Sequence, residues 1–222
     1  MVSKRLIVAI DGPSGAGKGT VARAVAARLG YRHVDTGAMY RAVAWKALHD
    51  RVDVSDEAAV AAIGEQASFD LEDGRVVIDG HDVASAIRTP EMDRAATTVA
   101  RHPAVRRVLV ARQRAYGEAG GVVMEGRDIG TVVFPDADVK IYLDASPEER
   151  ARRRAADPAH ASSKGAQLAE VATALAERDK SDSTRAASPL AVAPDAVVID
   201  TTGLAISEVI DKVIALVNAI QH

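Results

Sequence analysis

Near its amino terminus the chain carries Gly12-Pro13-Ser14-Gly15-Ala16-Gly17-Lys18-Gly19-Thr20. Glycines at this density let successive backbone N–H groups turn inward around an anion, and a lysine at this spacing reaches the β- and γ-phosphates of a triphosphate. The pattern is a Walker A phosphate loop. It sits between an apolar run and a helical stretch, which favours that reading over a glycine turn with an exposed lysine. In the general motif a serine or threonine follows the lysine and ligates Mg²⁺, but here Gly19 intervenes and Thr20 comes one place late. Magnesium is therefore expected to be held through phosphate oxygens and water, with no protein metal ligand, which suits a cation that dehydrates reluctantly. No Asn-Lys-x-Asp guanine-reading motif is present, so a GTPase switch is disfavoured.

Three further segments could bind an acceptor. Asp35-Thr36-Gly37-Ala38-Met39-Tyr40-Arg41 follows a second strand and opens a helix, placing Thr36 and Arg41 at the carboxyl edge of a sheet, where α/β proteins bind ligands. Alone, it reads equally as a capped helix with a surface arginine. Glu125-Gly126-Arg127-Asp128 ends an apolar strand at the same edge; Arg127 and Asp128 are badly placed for packing and well placed for a phosphate and a cation. Arg178-Asp179-Lys180-Ser181-Asp182-Ser183-Thr184-Arg185 taken alone reads as a solvated charge run at a helix end.

The elements that must position these residues follow from periodicity. Leu6 to Ile10 is a short apolar run, and Val21, Val25 and Leu29 recur at helical spacing after Lys18, so the order is strand, glycine loop, helix. Further strands are expected at Val122 to Glu125, Val139 to Leu143 and Val197 to Ile199, with a weaker one at Tyr31 to Val34. Helical stretches separate most of them, which predicts a parallel sheet covered on both faces. From Ser68 to Val83 the alternation breaks, where Asp73-Gly74 and Asp79-Gly80 flank the strand-like Arg75 to Ile78 and predict a small antiparallel insert. Pro90 and Pro103 each mark a helix start, the second helix running to about Gly117. Ser146-Pro147-Glu148-Glu149 is a capping box. Asp157 to Gly165 is expected to be the most mobile loop, and Ile206, Val209, Ile210, Val213, Val217 and Ile220 make a terminal amphipathic helix.

The four motifs DGPSGAGKGT, DTGAMYR, EGRDIGTVVFP and RDKSDSTR stand in the order and spacing of bacterial cytidylate kinases, and the chain closely resembles that family over nearly its whole length. The Lys-Gly-Thr form of the loop is itself similar to nucleoside monophosphate kinases. The resemblance implies an α/β P-loop kinase fold: a core of residues 1–35, 105–150 and 178–222 with a five-stranded parallel sheet flanked by helices, a monophosphate-binding insert (36–104) with a small antiparallel sheet, and a short lid (151–177). It implies transfer of the γ-phosphoryl group of ATP to CMP or dCMP with Mg²⁺. Thr97 and Arg106 would contact the cytosine, Asp182 and Arg185 the ribose and base side, and Arg41, Arg127 and Arg178 the phosphates, with Asp128 orienting that set. Arg150, Arg153 and Arg154 lie at helical spacing and could face the transferring phosphoryl group, Arg154 being assigned to ATP and Lys164 offering one further cation. Alternatives are a kinase for UMP, dTMP or shikimate, or a P-loop regulator that binds nucleotide without turning it over.

Composition adds bounds. With 222 residues, 48% hydrophobic and 27% charged, the chain suits one α/β domain with an insert. A net charge of -3 argues against non-specific nucleic-acid binding. There is no cysteine, hence no disulfide and no thiolate zinc site, which fits a reducing cytoplasm. The opening apolar run is too short for a membrane span or signal core. The family resemblance suggests a monomer.

Overall fold

The computed structural model describes residues 5–71, 74–157 and 167–221. A five-stranded sheet forms the core, with β1 (Ile7–Asp11), β2 (Arg32–Asp35), β6 (Val122–Glu125), β7 (Val139–Asp144) and β8 (Val197–Asp200) in the order β2-β6-β1-β7-β8. All four pairings are parallel, in registers that set Ile10 beside Glu125 and Ile141. Strand side chains alternate between faces. Val8 and Ile10 of β1 and Val123 of β6 pack with Val21 and Val25 of α1 (Lys18–Leu29) and with Val209, Val213 and Val217 of α8 (Ile206–Gln221). Ala9, Val122 and Met124 face the opposite way, into a second core. Apolar side chains fully buried on both faces contribute about 1.5–3 kcal/mol each, so a buried strand reads as an unbroken apolar run. Ile206 and Ile220, at the two ends of α8, remain exposed.

The second core is shared with the insert. Helices α2 (Thr36–His49), α3 (Glu57–Gln66), α4 (Pro90–Val99) and α5 (Pro103–Gly117) surround a three-stranded antiparallel sheet of β3 (Phe69–Asp70), β4 (Val77–Ile78) and β5 (His81–Asp82). Their side chains Val43, Ile78, Val99 and Leu109 join Val34 and Met124 in one apolar cluster. The turn between β4 and β5 has Asp79 at φ 48° and Gly80 at φ 78°, the paired positive φ angles of a two-residue hairpin, as the dipeptide predicted. The other turn dipeptide lies partly outside the described residues, Asp73 being among those not described.

α6 (Pro147–Ala156) and α7 (Leu168–Thr184) pack through Ala151, Val171 and Leu175. Ser146 caps α6 by accepting the Glu149 N–H at 3.2 Å. The segment boundaries expected at 104/105, 150/151 and 177/178 each fall inside a continuous helix, α5, α6 and α7 respectively. Most of the loop expected at Asp157 to Gly165, with Lys164, lies outside the described residues.

Candidate active site

The phosphate loop leaves β1 at Gly12, whose φ is 144°. A Cβ there would stand 2.0 Å from the Leu143 carbonyl oxygen of β7, so only glycine lets the chain turn away so close to the neighbouring strand. Gly17, at φ 92°, caps α1, and Lys18 is its first residue. Lys18 Nζ is buried and donates to the Pro13 carbonyl at 2.7 Å, folding its side chain across the loop it belongs to. Burial, then the nearby Arg127, holds its pKa well below the usual lysine range. The negative charge of a bound phosphate would oppose both effects and favour the ammonium. Thr20 is exposed in the first turn of α1.

Two carboxylates stand beside the loop that sequence reasoning assigned no role. Asp11, at the end of β1, accepts the Ile129 and Gly130 N–H groups at 2.8 and 2.7 Å and so holds the π-helical turn Ile129–Val133. Burial pushes its carboxyl up to about 6, against the two N–H donors, with the Asp128 charge adding to the rise. Glu125 ends β6; its Oε1 is 3.2 Å from where a Cβ on Gly19 would stand and 3.0 Å from His33 Nε2. Thr36 donates to the Glu125 carbonyl at 2.7 Å, tying the start of α2 to the end of β6, so its hydroxyl hydrogen serves a structural bond. Asp35 caps α2 by accepting the Ala38 N–H at 2.9 Å. The charge run on α7 is only in part a solvated face, with Lys180, Ser183 and Thr184 exposed. Asp182 and Arg185 are both buried, because α7 ends against the site and not in solvent.

From there one chain of hydrogen bonds and ion pairs runs to Arg106. Arg127 donates through Nη2 to Ser14 Oγ at 2.7 Å and through Nε to Asp182 at 2.9 Å. Burial lowers the Arg127 pKa, but Asp182 and Asp179 outweigh it and the net shift is upward. Arg185 lies 3.7 Å from Asp182 and 3.4 Å from Asp128. Asp128 in turn accepts from Arg106. Arg106 is only 3% exposed, so it does not face solvent like an ordinary helix-surface arginine, and its guanidinium lies 5.3 Å from the Tyr40 ring centroid. Its Nε and the Tyr40 hydroxyl are buried with no hydrogen-bond partner among the described residues. Thr97 donates its hydroxyl hydrogen to the Asp93 carbonyl at 2.8 Å, leaving its oxygen as an acceptor only.

A second cluster gathers the remaining arginines. Arg178 and Arg41 lie 3.0 and 3.3 Å from one oxygen of Asp93, and Arg154 lies 3.6 Å from the other. Arg178 is pulled down to about 10 by burial and then by Arg41. Arg154, expected to bind ATP, thus lies in this structure with Arg41 and Arg178 against Asp93. The α6 arginines that touch the phosphate loop are Arg150, which donates to the Ser14 carbonyl at 3.1 Å and pairs with Asp179, and Arg153, which donates to Thr201 and to the Ala16 carbonyl. Asp179 also accepts the Ser14 N–H at 3.0 Å. Among the described residues no group of three or more His, Asp or Glu could hold a metal ion, and no helix is long and apolar enough to cross a membrane.

Residues 8–219 match the family model described as cytidylate kinase. A cytidylate kinase of Solibacter usitatus is 50% identical over 97% of this chain and 94% of its own length. One from Geobacillus kaustophilus is 48% identical over 98% of each chain. Among solved structures, an uncharacterized protein from Eubacterium ventriosum superposes with a TM-score of 0.52 over 97% of this chain and 99% of its own at 11% identity, a likeness of fold alone.

Proposed function

The chain belongs to the cytidylate kinase family, and from that premise we propose that it transfers the γ-phosphoryl group of ATP to CMP or dCMP, giving ADP and CDP or dCDP. The observation that carries the reading is the convergence of Arg41, Arg127 and Arg178 beside a phosphate loop, from three different elements. Transfer to a monophosphate needs no covalent intermediate and no general base, since the acceptor oxygen is already largely anionic. What it needs is in-line placement of two anions that repel each other, with cations to offset the charge on the equatorial oxygens.

In this reading Gly12 to Thr20 cradle the donor phosphates, and Lys18 leaves the Pro13 carbonyl to meet them. Arg127, already bonded to Ser14 Oγ and to Asp182, stands between donor loop and acceptor side and would contact both phosphates. Asp182 and Arg185 would hold the ribose, with Arg106 and Thr97 at the cytosine. The unpartnered Arg106 Nε is a donor waiting for an acceptor, and the Thr97 oxygen is an acceptor suited to an exocyclic amine. Asp128 fixes Arg106 from one side and Arg185 from the other.

A divalent cation, Mg²⁺ in our reading, would offset charge between the β- and γ-phosphates. The Glu125 carboxylate beside Gly19 and the hydroxyl of Thr20 suit a largely hydrated ion, reached through water. We further propose that the helices α6 and α7 act as the lid, that residues 36–104 act as the acceptor-binding insert, and that the enzyme works as a cytoplasmic monomer in pyrimidine nucleotide metabolism. The test is ADP release measured with and without CMP. CMP-dependent release supports the reading, and absence of ADP release with every monophosphate would leave a nucleotide-binding regulator in its place.

A further inference from the structure

Asp93 has a position that none of the roles above uses. It lies in the first turn of α4, four residues before Thr97, and its carboxylate lies against three guanidinium groups carried by three other helices: Arg41 of α2, Arg154 of α6 and Arg178 of α7. All three arginine side chains are largely buried, at 12, 14 and 16% exposure. Gathering three such cations without a counter-anion is costly; burial, with the mutual repulsion of Arg41 and Arg178, already lowers the Arg178 pKa. Other acids act on individual members, Asp35 on Arg41, Asp157 on Arg154 and Asp182 on Arg178. Among the described residues, Asp93 is the carboxylate within 4 Å of all three.

We propose that Asp93 is an internal stand-in for the acceptor's phosphate. It keeps Arg41, Arg154 and Arg178 assembled while the site is empty, and an incoming phosphate dianion takes over those donors, two oxygens of a planar carboxylate giving way to three of a tetrahedral anion. The exchange frees α4 from its carboxylate tie and gathers α2, α6 and α7 onto the incoming anion, so acceptor binding and the positions of α4 and the lid helix α6 become linked through a single side chain. Because Thr97 donates to the Asp93 carbonyl, the same helical turn carries the contacts proposed for the base and for the phosphate. The identity of the anion as an acceptor phosphate rests on the kinase reading. The competition between Asp93 and an anion does not.

The test is therefore made with inorganic phosphate as the probe. Thermal unfolding of the full chain is followed at fixed ionic strength in chloride and in rising phosphate, for the wild type, Asp93→Asn and Asp93→Glu. Asp93→Asn should melt roughly 2–4 °C below the wild type in chloride, the shift that a loss of about one ion pair gives a chain of this size, and should recover that loss in phosphate. Its phosphate affinity should exceed the wild type's by roughly 3- to 10-fold, and Asp93→Glu, which keeps the charge, should behave as the wild type. If Asp93→Asn loses stability and phosphate does not restore it, Asp93 is only a structural acid at the start of α4 and the proposal fails. Equal phosphate affinity in all three proteins also overturns it. Calorimetric titration with CMP then separates the two readings: rescue by phosphate without CMP binding to the wild type would keep the stand-in and reject the acceptor.

Discussion

The base-reading role proposed for Arg106 has consequences that can be sized. Cytosine presents an amine donor and an acceptor at N3, and uracil reverses both, so a site that matches one leaves buried groups unpaired with the other. Arg106→Met deletes a buried guanidinium whose partner, Asp128, has a side chain only 7% exposed. Breaking a buried pair by removing one member costs about 3–5 kcal/mol, and Arg185, 3.4 Å from the other Asp128 oxygen, should hold the loss to the lower end. The double variant Arg106→Met, Asp128→Asn should recover part of that stability, since the buried carboxylate charge is removed while Arg185 keeps Asp182 at 3.7 Å. Separately, a lost hydrogen bond to cytosine is worth about 1–3 kcal/mol, roughly 5- to 150-fold in rate. Steady-state kinetics on both acceptors isolates this effect, because the ratio of kcat/KM for CMP to that for UMP does not depend on how much enzyme is folded. The ratio should narrow by about tenfold or more in Arg106→Met, and an unchanged ratio would refute the base-reading role.

Asp182→Ala should raise the KM for CMP much more than it weakens ATP; an equal loss of ATP affinity in calorimetry would move α7 to the donor side. Because Asp182 also holds Arg127 at 2.9 Å, some loss of kcat should accompany it. Asp11 supplies a pH test. Its carboxyl is raised from 3.8 to about 6, so the folded protein holds a proton that the unfolded chain has already lost between those values. Stability from this group is full below 3.8, falls as pH rises through 6, and totals about 3 kcal/mol across the window. Denaturant titrations should show the wild type losing that much relative to Asp11→Asn on going from acid to neutral pH, and a difference constant with pH would contradict the buried, protonatable Asp11.

The parts of the fold that were legible in the sequence are those where one residue type answers one backbone demand. The loop glycines, the Asp79-Gly80 turn and the prolines opening α4 and α5 lie where their local chemistry put them. The strand Val122–Glu125 stands where it was expected, while other strand edges moved by a residue, β1 starting at Ile7 and not Leu6, since apolarity marks the buried face and not the hydrogen-bonded length. Helix α3 gave little signal, because within Glu57–Gln66 only Val60 and Gly64 are buried and alanines blur the period. The burial of Asp182 and Arg185 could not be read from a polar run whose partners, Arg127 and Asp128, lie more than fifty residues away. Asp11, Glu125 and Asp93 are single acids whose importance comes from what tertiary contact sets against them: two N–H donors, a glycine of the phosphate loop, and three arginines. The apolar sequence around Asp11 and Glu125 predicted their strands and gave no sign of their chemistry.

The central claim is tested most directly by supplying ATP, Mg²⁺ and equal concentrations of CMP and UMP in one vessel and separating the diphosphates formed over the first turnovers, with Lys18→Met as the control for the phosphate loop. CDP should form in large excess over UDP, and the Lys18→Met protein should make both at least ~10²-fold more slowly. Equal amounts of the two products, or CDP formation that survives the loss of Lys18, would contradict the account.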